Sequence, residues 1–263
     1  MTEDGRVYHT VGGSVFETRG FGKTGDGGPV IVFLHEGLGS ARLWRDYPAR
    51  VASAVGLSAV AVSRLGYGDS DPCPLPRPVD YMEREAESTL PALLAAMGLE
   101  EFILYGHSDG GSIALLYAAG DPSQGLKAVV TEAAHVFCEE LTLSSIRAAR
   151  TAFDGGSLRD KLKKHHTSVD HAFNGWCGMW LDPDFAAWNF SHLLGRIRVP
   201  VLALQGDSDE YGTMSQLRTI EDLARARIAV IADCGHAPHR EKPDEALGHV
   251  VPFLKGVLRG DIK

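Results

Sequence analysis

The sequence predicts an α/β protein, with a mostly parallel sheet flanked by helices and one helical insertion. Three observations lead there. Short apolar runs that read as buried strands alternate with stretches of helical periodicity. The alternation stops at residue 134 and resumes at 199, and the interval holds Trp176, Trp180 and Trp188 with no convincing strand. One strand runs into the glycine-rich turn Gly106-His107-Ser108-Asp109-Gly110, which opens a helix.

Residues 7–11 and 14–18 flank Gly12-Gly13, a two-residue hairpin signal, so the chain opens with a small antiparallel pair. Residues 30–34 and 58–63 read as buried strands, and a helix over 41–55 lies between them. A Gly- and Pro-rich loop covers 66–78. A helix then spans 81–97, with Asp80 and Glu83 spaced as a capping box. Met82, Leu90, Leu93, Leu94 and Met97 form its apolar face, and Gly98 suits its end. Further strands are 102–105, 128–131, 199–204 and 228–231, and a last helix covers about 245–258. Residues 1–134 and 199–263 therefore form the core, and 135–198 form a helical cap inserted over the strand ends.

The 263 residues are 44% hydrophobic and 23% charged, enough for one sizeable core. A net charge of −8 argues against nucleic acid or an anionic membrane as partner. The expected partner is a small-molecule substrate, and a homodimer is compatible with the composition. Cys73, Cys138, Cys177 and Cys234 are scattered without a C-x-x-C pair, which points away from a disulfide framework or zinc site and toward a reducing, cytoplasmic setting. Met1 to Gly5 carries Glu3 and Asp4 without an apolar stretch, so no signal peptide is expected. No apolar run approaches the roughly 20 residues that span a bilayer.

The turn at 106–110 carries the chemistry. Glycines on both sides permit a very tight strand-to-helix connection, which presents the Ser108 hydroxyl at a helix N-terminus. The five-residue pattern alone is weak, but a preceding apolar strand and a following helix are the context it requires.

Four stretches resemble the α/β-hydrolase superfamily over nearly the whole chain. They are 34–40 with Trp44 after it, 63–70, 106–111 and 234–239. The resemblance implies Ser108 as nucleophile, His236 as base and Asp209 as the orienting acid, in the family's chain order. It implies oxyanion donors on the backbone N–H of Gly37 and Asp109, each supplying about 3 kcal/mol in a well-studied case. It implies no metal and no organic cofactor.

Rivals exist for each role. His239 stands near His236; Asp207 and Glu210 flank Asp209; Glu132 follows an earlier strand where some relatives carry the acid. Glu36 replaces the family's usual glycine, and it is expected to turn outward or bond nearby backbone, since a carboxylate beside an oxyanion is counterproductive. His35 and His107 read as buried scaffold groups, and His165 and His166 as a solvated face. His135, Phe137, Trp176 and Trp180 are candidate pocket residues, although aromatics four apart on a helix more often pack a core. Arg147 and Arg150 could hold a substrate carboxylate or lie on a solvated helix face.

The resemblance implies acyl-bond hydrolysis of a small molecule, foremost a carboxylic ester, through an acyl-serine intermediate. A second reading is a carbon–carbon bond hydrolase of aromatic breakdown products, whose oxyanion loop is richer in glycine than 35–39. A third is a ligand-binding protein on a hydrolase fold with slow or no turnover. Haloalkane dehalogenases and epoxide hydrolases are disfavoured because they carry Asp where Ser108 stands.

Overall fold

The computed structural model describes residues 5–22, 28–120, 122 and 124–262. The expectation for residues 1–4 lies outside them. Eight strands form one sheet: β1 (Arg6–Val11), β2 (Ser14–Phe21), β3 (Val30–Leu34), β4 (Ala59–Val62), β5 (Phe102–His107), β6 (Leu126–Glu132), β7 (Val201–Gly206) and β8 (Arg227–Ile231). Their order across the sheet is β1-β2-β4-β3-β5-β6-β7-β8. The β1–β2 and β2–β4 pairs are antiparallel, and every later pair is parallel.

The helices are α1 (Tyr47–Val55), α2 (Tyr81–Arg84), α3 (Leu90–Ala96), α4 (Asp109–Ala119), α5 (Glu140–Asp154), α6 (Ser157–Leu162), α7 (Val169–Trp180), α8 (Met214–Ala224), α9 (Pro238–Glu241) and α10 (Pro243–Arg259). Strand side chains alternate between two cores, as the pleat requires. Ile31, Phe33, Ile103 and Tyr105 face one core, where Val51 of α1 and Val250 and Phe253 of α10 also pack. Val32, Leu34 and Leu104 face the other, with Leu93 of α3 and Ile113 of α4. The central helix α4 is buried along its whole length, so both flanks of the 106–110 turn are fixed by packing.

Strand positions follow the sequence closely, two local expectations do not hold, and a third holds with a modification. The helix expected over 41–55 is broken into a 3₁₀ turn (Ala41–Trp44) and α1, because Arg45 takes a positive φ of 53°. The capping box does not form. Asp80 bonds Arg84 instead, and Glu83 Oε1 accepts a hydrogen bond from Trp188 Nε1. The helix over 81–97 is real but contains a π-helical stretch (Glu85–Thr89), and Met82, Leu90, Leu93 and Leu94 of its apolar face are buried.

Between β6 and β7 the described chain is helical. It reaches back onto loops at the carboxyl ends of the sheet. His166 Nε2 donates to Leu38 O at 3.0 Å, and the Thr167 N–H donates to Gly68 O at 2.9 Å. His166 is therefore buried rather than on a solvated face, with its Nδ1 accepting from the Gly68 N–H. Among the described residues no helix is long and apolar enough to cross a membrane, and all four cysteines are free.

Candidate active site

Parallel strands bring their carboxyl ends to one edge of the sheet, where crevices form between diverging loops. Strands β3 and β5 are neighbours, with Leu34 opposite Gly106. The loop after β3 thus stands beside the turn after β5, and the loops after β7 and β8 complete the rim. A cleft of about 500 Å³ opens there, lined by Gly37, Ser108, Trp176, Tyr211 and His236 among others.

Ser108 sits at the junction of β5 and α4 with φ 52° and ψ −119°. A non-glycine residue in such a region costs about 1–3 kcal/mol, which the surroundings must over-determine. They do so by contact. A Cβ at Gly106 would come within 2.2 Å of Gly110 O, and one at Gly110 within 2.1 Å of Leu34 O. The Ser108 N–H donates to Glu132 O at 2.9 Å, and Ser108 O accepts from the Ser112 N–H at 3.0 Å.

His236 Nδ1 lies 2.8 Å from Asp209 Oδ1. The same oxygen accepts N–H bonds from Tyr211 at 2.8 Å and Gly212 at 3.2 Å, while Oδ2 accepts from Gln205 Nε2 at 3.1 Å. Burial would raise the Asp209 pKa, but His236 and the Tyr211 N–H outweigh it and hold the group below the usual carboxylate range. Asp209 is thus a buried, ionised and well-bonded acceptor for an imidazole N–H. The loop carrying His236 is pinned on three sides. His107 Nε2 donates to His236 O at 2.8 Å, Glu210 Oε2 accepts from the His236 N–H at 3.2 Å, and Glu241 accepts from the N–H groups of Gly235 and Ala237.

The rival residues have other partners. Asp207 Oδ1 accepts from Ser208 Oγ on an exposed loop. Glu132 and His239 bond each other in the core, with His239 Nδ1 donating to Glu132 Oε2 at 2.7 Å. Tyr105 donates to the second Glu132 oxygen at 2.5 Å.

Gly37 lines the cleft, and Asp109 follows Ser108 at the start of α4. The Gly37 N–H makes no hydrogen bond among the described residues. Asp109 opens α4, where an N–H has no helical acceptor. The Asp109 side chain is buried, ringed by the Tyr81 hydroxyl, by Trp180 Nε1 at 3.2 Å and by Arg64 at 3.6 Å. Glu36 does not turn outward. Its Oε2 faces His107 Nδ1 at 3.5 Å, on the wall of the cleft. Burial opposes its charge, but His107 overrides that and leaves the Glu36 carboxyl well below the usual range, while raising His107. The shift of His107 toward its charged form offsets the carboxylate next to Gly37. His35 is scaffold as expected: Nδ1 donates to Glu36 O at 2.6 Å and Nε2 accepts from the Arg64 N–H at 3.0 Å.

Of the four candidate pocket residues, Trp176 alone lines the cleft. His135 is buried behind His236, with ring centroids 5.7 Å apart, and burial pushes its pKa down to about 3. Phe137 is spent in a β-bridge to Asn189, and Trp180 is fully buried. Arg147 and Arg150 pair with Glu140 and Asp154 on the solvated face of α5. Sequence reading missed Tyr211, whose ring lies 4.8 Å from that of His236, and missed Arg45 on the cleft wall; Arg240, which reads from the sequence as a local structural residue beside His239, also lines it. The position of Tyr211 two residues past Asp209 was the available signal. Nothing local marks Arg45, which is remote in sequence from the other cleft residues, whereas Arg240 lies in α9, four residues after His236.

A model of the Alpha/beta hydrolase family matches residues 31–248. The chain is similar to 2-hydroxy-6-oxononadienedioate/2-hydroxy-6-oxononatrienedioate hydrolase 1 of Dechloromonas aromatica (strain RCB), with 25% identity over 258 residues covering 88% of each chain. It is also similar to proline iminopeptidase of Lactobacillus helveticus (strain DPC 4571), with 23% identity over 265 residues covering 86% of this chain and 90% of the relative. Among solved structures, proline iminopeptidase of Mycobacterium smegmatis superposes with a TM-score of 0.76 at 18% identity, covering 96% and 98% of the two chains. That last likeness is one of fold.

Proposed function

The chain belongs to the alpha/beta hydrolase family and is a hydrolytic enzyme, and on that premise we propose that it cleaves an acyl bond of a small molecule, foremost a carboxylic ester, through Ser108, His236 and Asp209. The observation that carries this reading is the pairing of His236 with an ionised Asp209 in the cleft that also exposes Ser108, itself held in a strained turn.

In this mechanism His236 Nε2 takes the Ser108 proton as Oγ attacks the carbonyl carbon, then delivers it to the leaving group. Asp209 keeps the proton of the resting imidazole on Nδ1 and stabilises the imidazolium that forms. The N–H groups of Gly37 and Asp109 receive the developing oxyanion. Water then attacks the acyl-serine by the reverse proton path. The helices of 135–198 act as a cap that closes one side of the cleft and excludes bulk water.

A carbon–carbon bond hydrolase is the second reading. The name of the Dechloromonas relative favours it, since that protein acts on a dienedioate. Arg45 and Arg240 line the cleft without an ion pair among the described residues, which suits a substrate carboxylate.

The test is intact mass after treatment with a fluorophosphonate probe. A single adduct on the parent and none on Ser108→Ala supports the reading. An adduct that survives in Ser108→Ala, or none on folded parent, rejects it. An ester and lactone panel set beside a vinylogous diketone panel separates the two substrate classes.

A further inference from the structure

We infer that Trp176 of α7 is a further catalytic residue, its indole N–H being a third donor to the substrate's carbonyl oxygen; the inference rests on the serine-hydrolase reading above.

The indole edge lies directly over Gly37. A Cβ built at Gly37 would come within 2.0 Å of Trp176 Nε1 and 2.3 Å of its Cδ1. Glycine at 37 is therefore what allows the indole to seat against the loop that carries an oxyanion donor. Both residues line the cleft with Ser108 and His236. Trp176 Nε1 has no hydrogen-bond partner among the described residues. The neighbouring indoles on this side of the sheet contrast with it: Trp180 Nε1 donates to Asp109 and Trp188 Nε1 to Glu83. A buried indole usually finds an acceptor. Trp176 is 6% exposed and lines the cleft, with Nε1 seated against Gly37.

The chemistry fits the place. A carbonyl oxygen gains charge and a third lone pair as the carbon becomes tetrahedral, and Gly37 and Asp109 supply two donors. An indole N–H adds a third, neutral and incapable of losing its proton to the intermediate. Fixed donors are effective because no reorganisation is needed when the charge appears. Helix α7 is fixed in this way. Phe173 stacks on Phe153 with centroids 3.8 Å apart, and Trp180 packs on Phe185 at 4.8 Å. Trp176 and Trp180 stand one helical turn apart on the same face. One reaches Gly37 and the other bonds the Asp109 carboxylate, so a single helix holds both residues that carry the backbone donors.

The experiment compares the rate of Ser108 phosphonylation by a fluorophosphonate in the parent and in Trp176→Phe, followed by intact mass, because the phosphonyl oxygen occupies the same donors. The expected result is a rate at least ten-fold lower in Trp176→Phe at unchanged melting temperature. With p-nitrophenyl acetate, kcat falls by a similar factor while KM stays within two-fold. Should Trp176→Phe fold poorly, replacing residue 176 with benzothienylalanine removes the N–H at constant shape and gives the same slowing. Equal phosphonylation rates in folded parent and variant overturn the inference and leave the serine-hydrolase reading intact. A parent that takes no adduct at Ser108 overturns both.

Discussion

Glu132 and His239 are hydrogen-bonded to each other at 2.7 Å in the core, 107 residues apart in sequence. The two residues that compete with Asp209 and His236 for the roles of acid and base are thereby committed to one another. Burial alone would neutralise Glu132, but His239 and Tyr105 keep its carboxyl below the usual range, while burial lowers the His239 pKa. The pair is a carboxylate accepting an imidazole N–H, beneath the loop that presents His236.

Asp209→Asn and Glu132→Gln should therefore fail in different ways. Asp209→Asn keeps the fold and lowers kcat by about 10⁴-fold, because the imidazole is then held in the wrong tautomer. Glu132→Gln keeps kcat per folded molecule within a few-fold but loses about 1–3 kcal/mol of stability, since it disturbs a buried polar group with several partners. Urea denaturation alongside steady-state kinetics checks both. A stable, inactive Glu132→Gln would reverse the assignment of the acid.

His135 predicts an acid-side stability loss. Its folded pKa is pushed down to about 3 by burial and by His236. In the unfolded chain an ordinary histidine takes up a proton below about pH 6.5. The unfolded state thus binds more protons between those values, so stability falls with decreasing pH by up to about 1.4 kcal/mol per pH unit from this group. His135→Asn removes that contribution. Its stability measured at pH 7.5, 6 and 5 should decline less steeply than the parent's, and parallel slopes would contradict the assignment.

Asp209 works at the other end of the scale. Its folded pKa is depressed, so its contribution is present above the unfolded value of about 3.9 and is lost as pH falls through the folded one. Asp209→Asn should flatten the stability profile only below about pH 4, a window that begins well below the onset of the His135 effect.

The Trp180 indole N–H reaches the Asp109 carboxylate at 3.2 Å, while Asp109 keeps Tyr81 and Arg64. Trp180→Phe retains the ring and deletes one bond. It should cost about 0.5–1.5 kcal/mol of stability and lower kcat by less than ten-fold, with KM unchanged. Kinetics and thermal melting on the same preparation check this, and a loss as large as that of Ser108→Ala would mean that Trp180 reaches the substrate.

Gly110→Ala tests the turn. The added methyl group would meet Leu34 O at 2.1 Å, a backbone atom of the central strand β3 that cannot step aside. The expected loss exceeds about 4 kcal/mol, read as a failure to accumulate folded protein. A Gly110→Ala protein as stable as the parent would remove steric closeness as the reason for glycine there.

What the sequence determined by itself was whatever depends on neighbours in the chain. The strand at 30–34, the hairpin at Gly12-Gly13 and the sharp turn around Ser108 follow from local apolar runs and glycine placement. The G-x-x-D spacing of Gly206 to Asp209 after a strand favoured Asp209 over Glu132. Tertiary structure decided what depends on residues remote in sequence. Whether Asp80 caps a helix or pairs with Arg84, whether Glu36 faces solvent or His107, and whether His166 is wet or buried each turned on which partner packing delivered. The cleft itself is of that kind. Trp176 and Gly37 are 139 positions apart, and they meet only because a helix inserted after β6 folds back over the loop after β3. A polar or aromatic side chain carries its chemistry in its identity, but its role is set by the partner burial leaves it, and burial is a property of the whole fold.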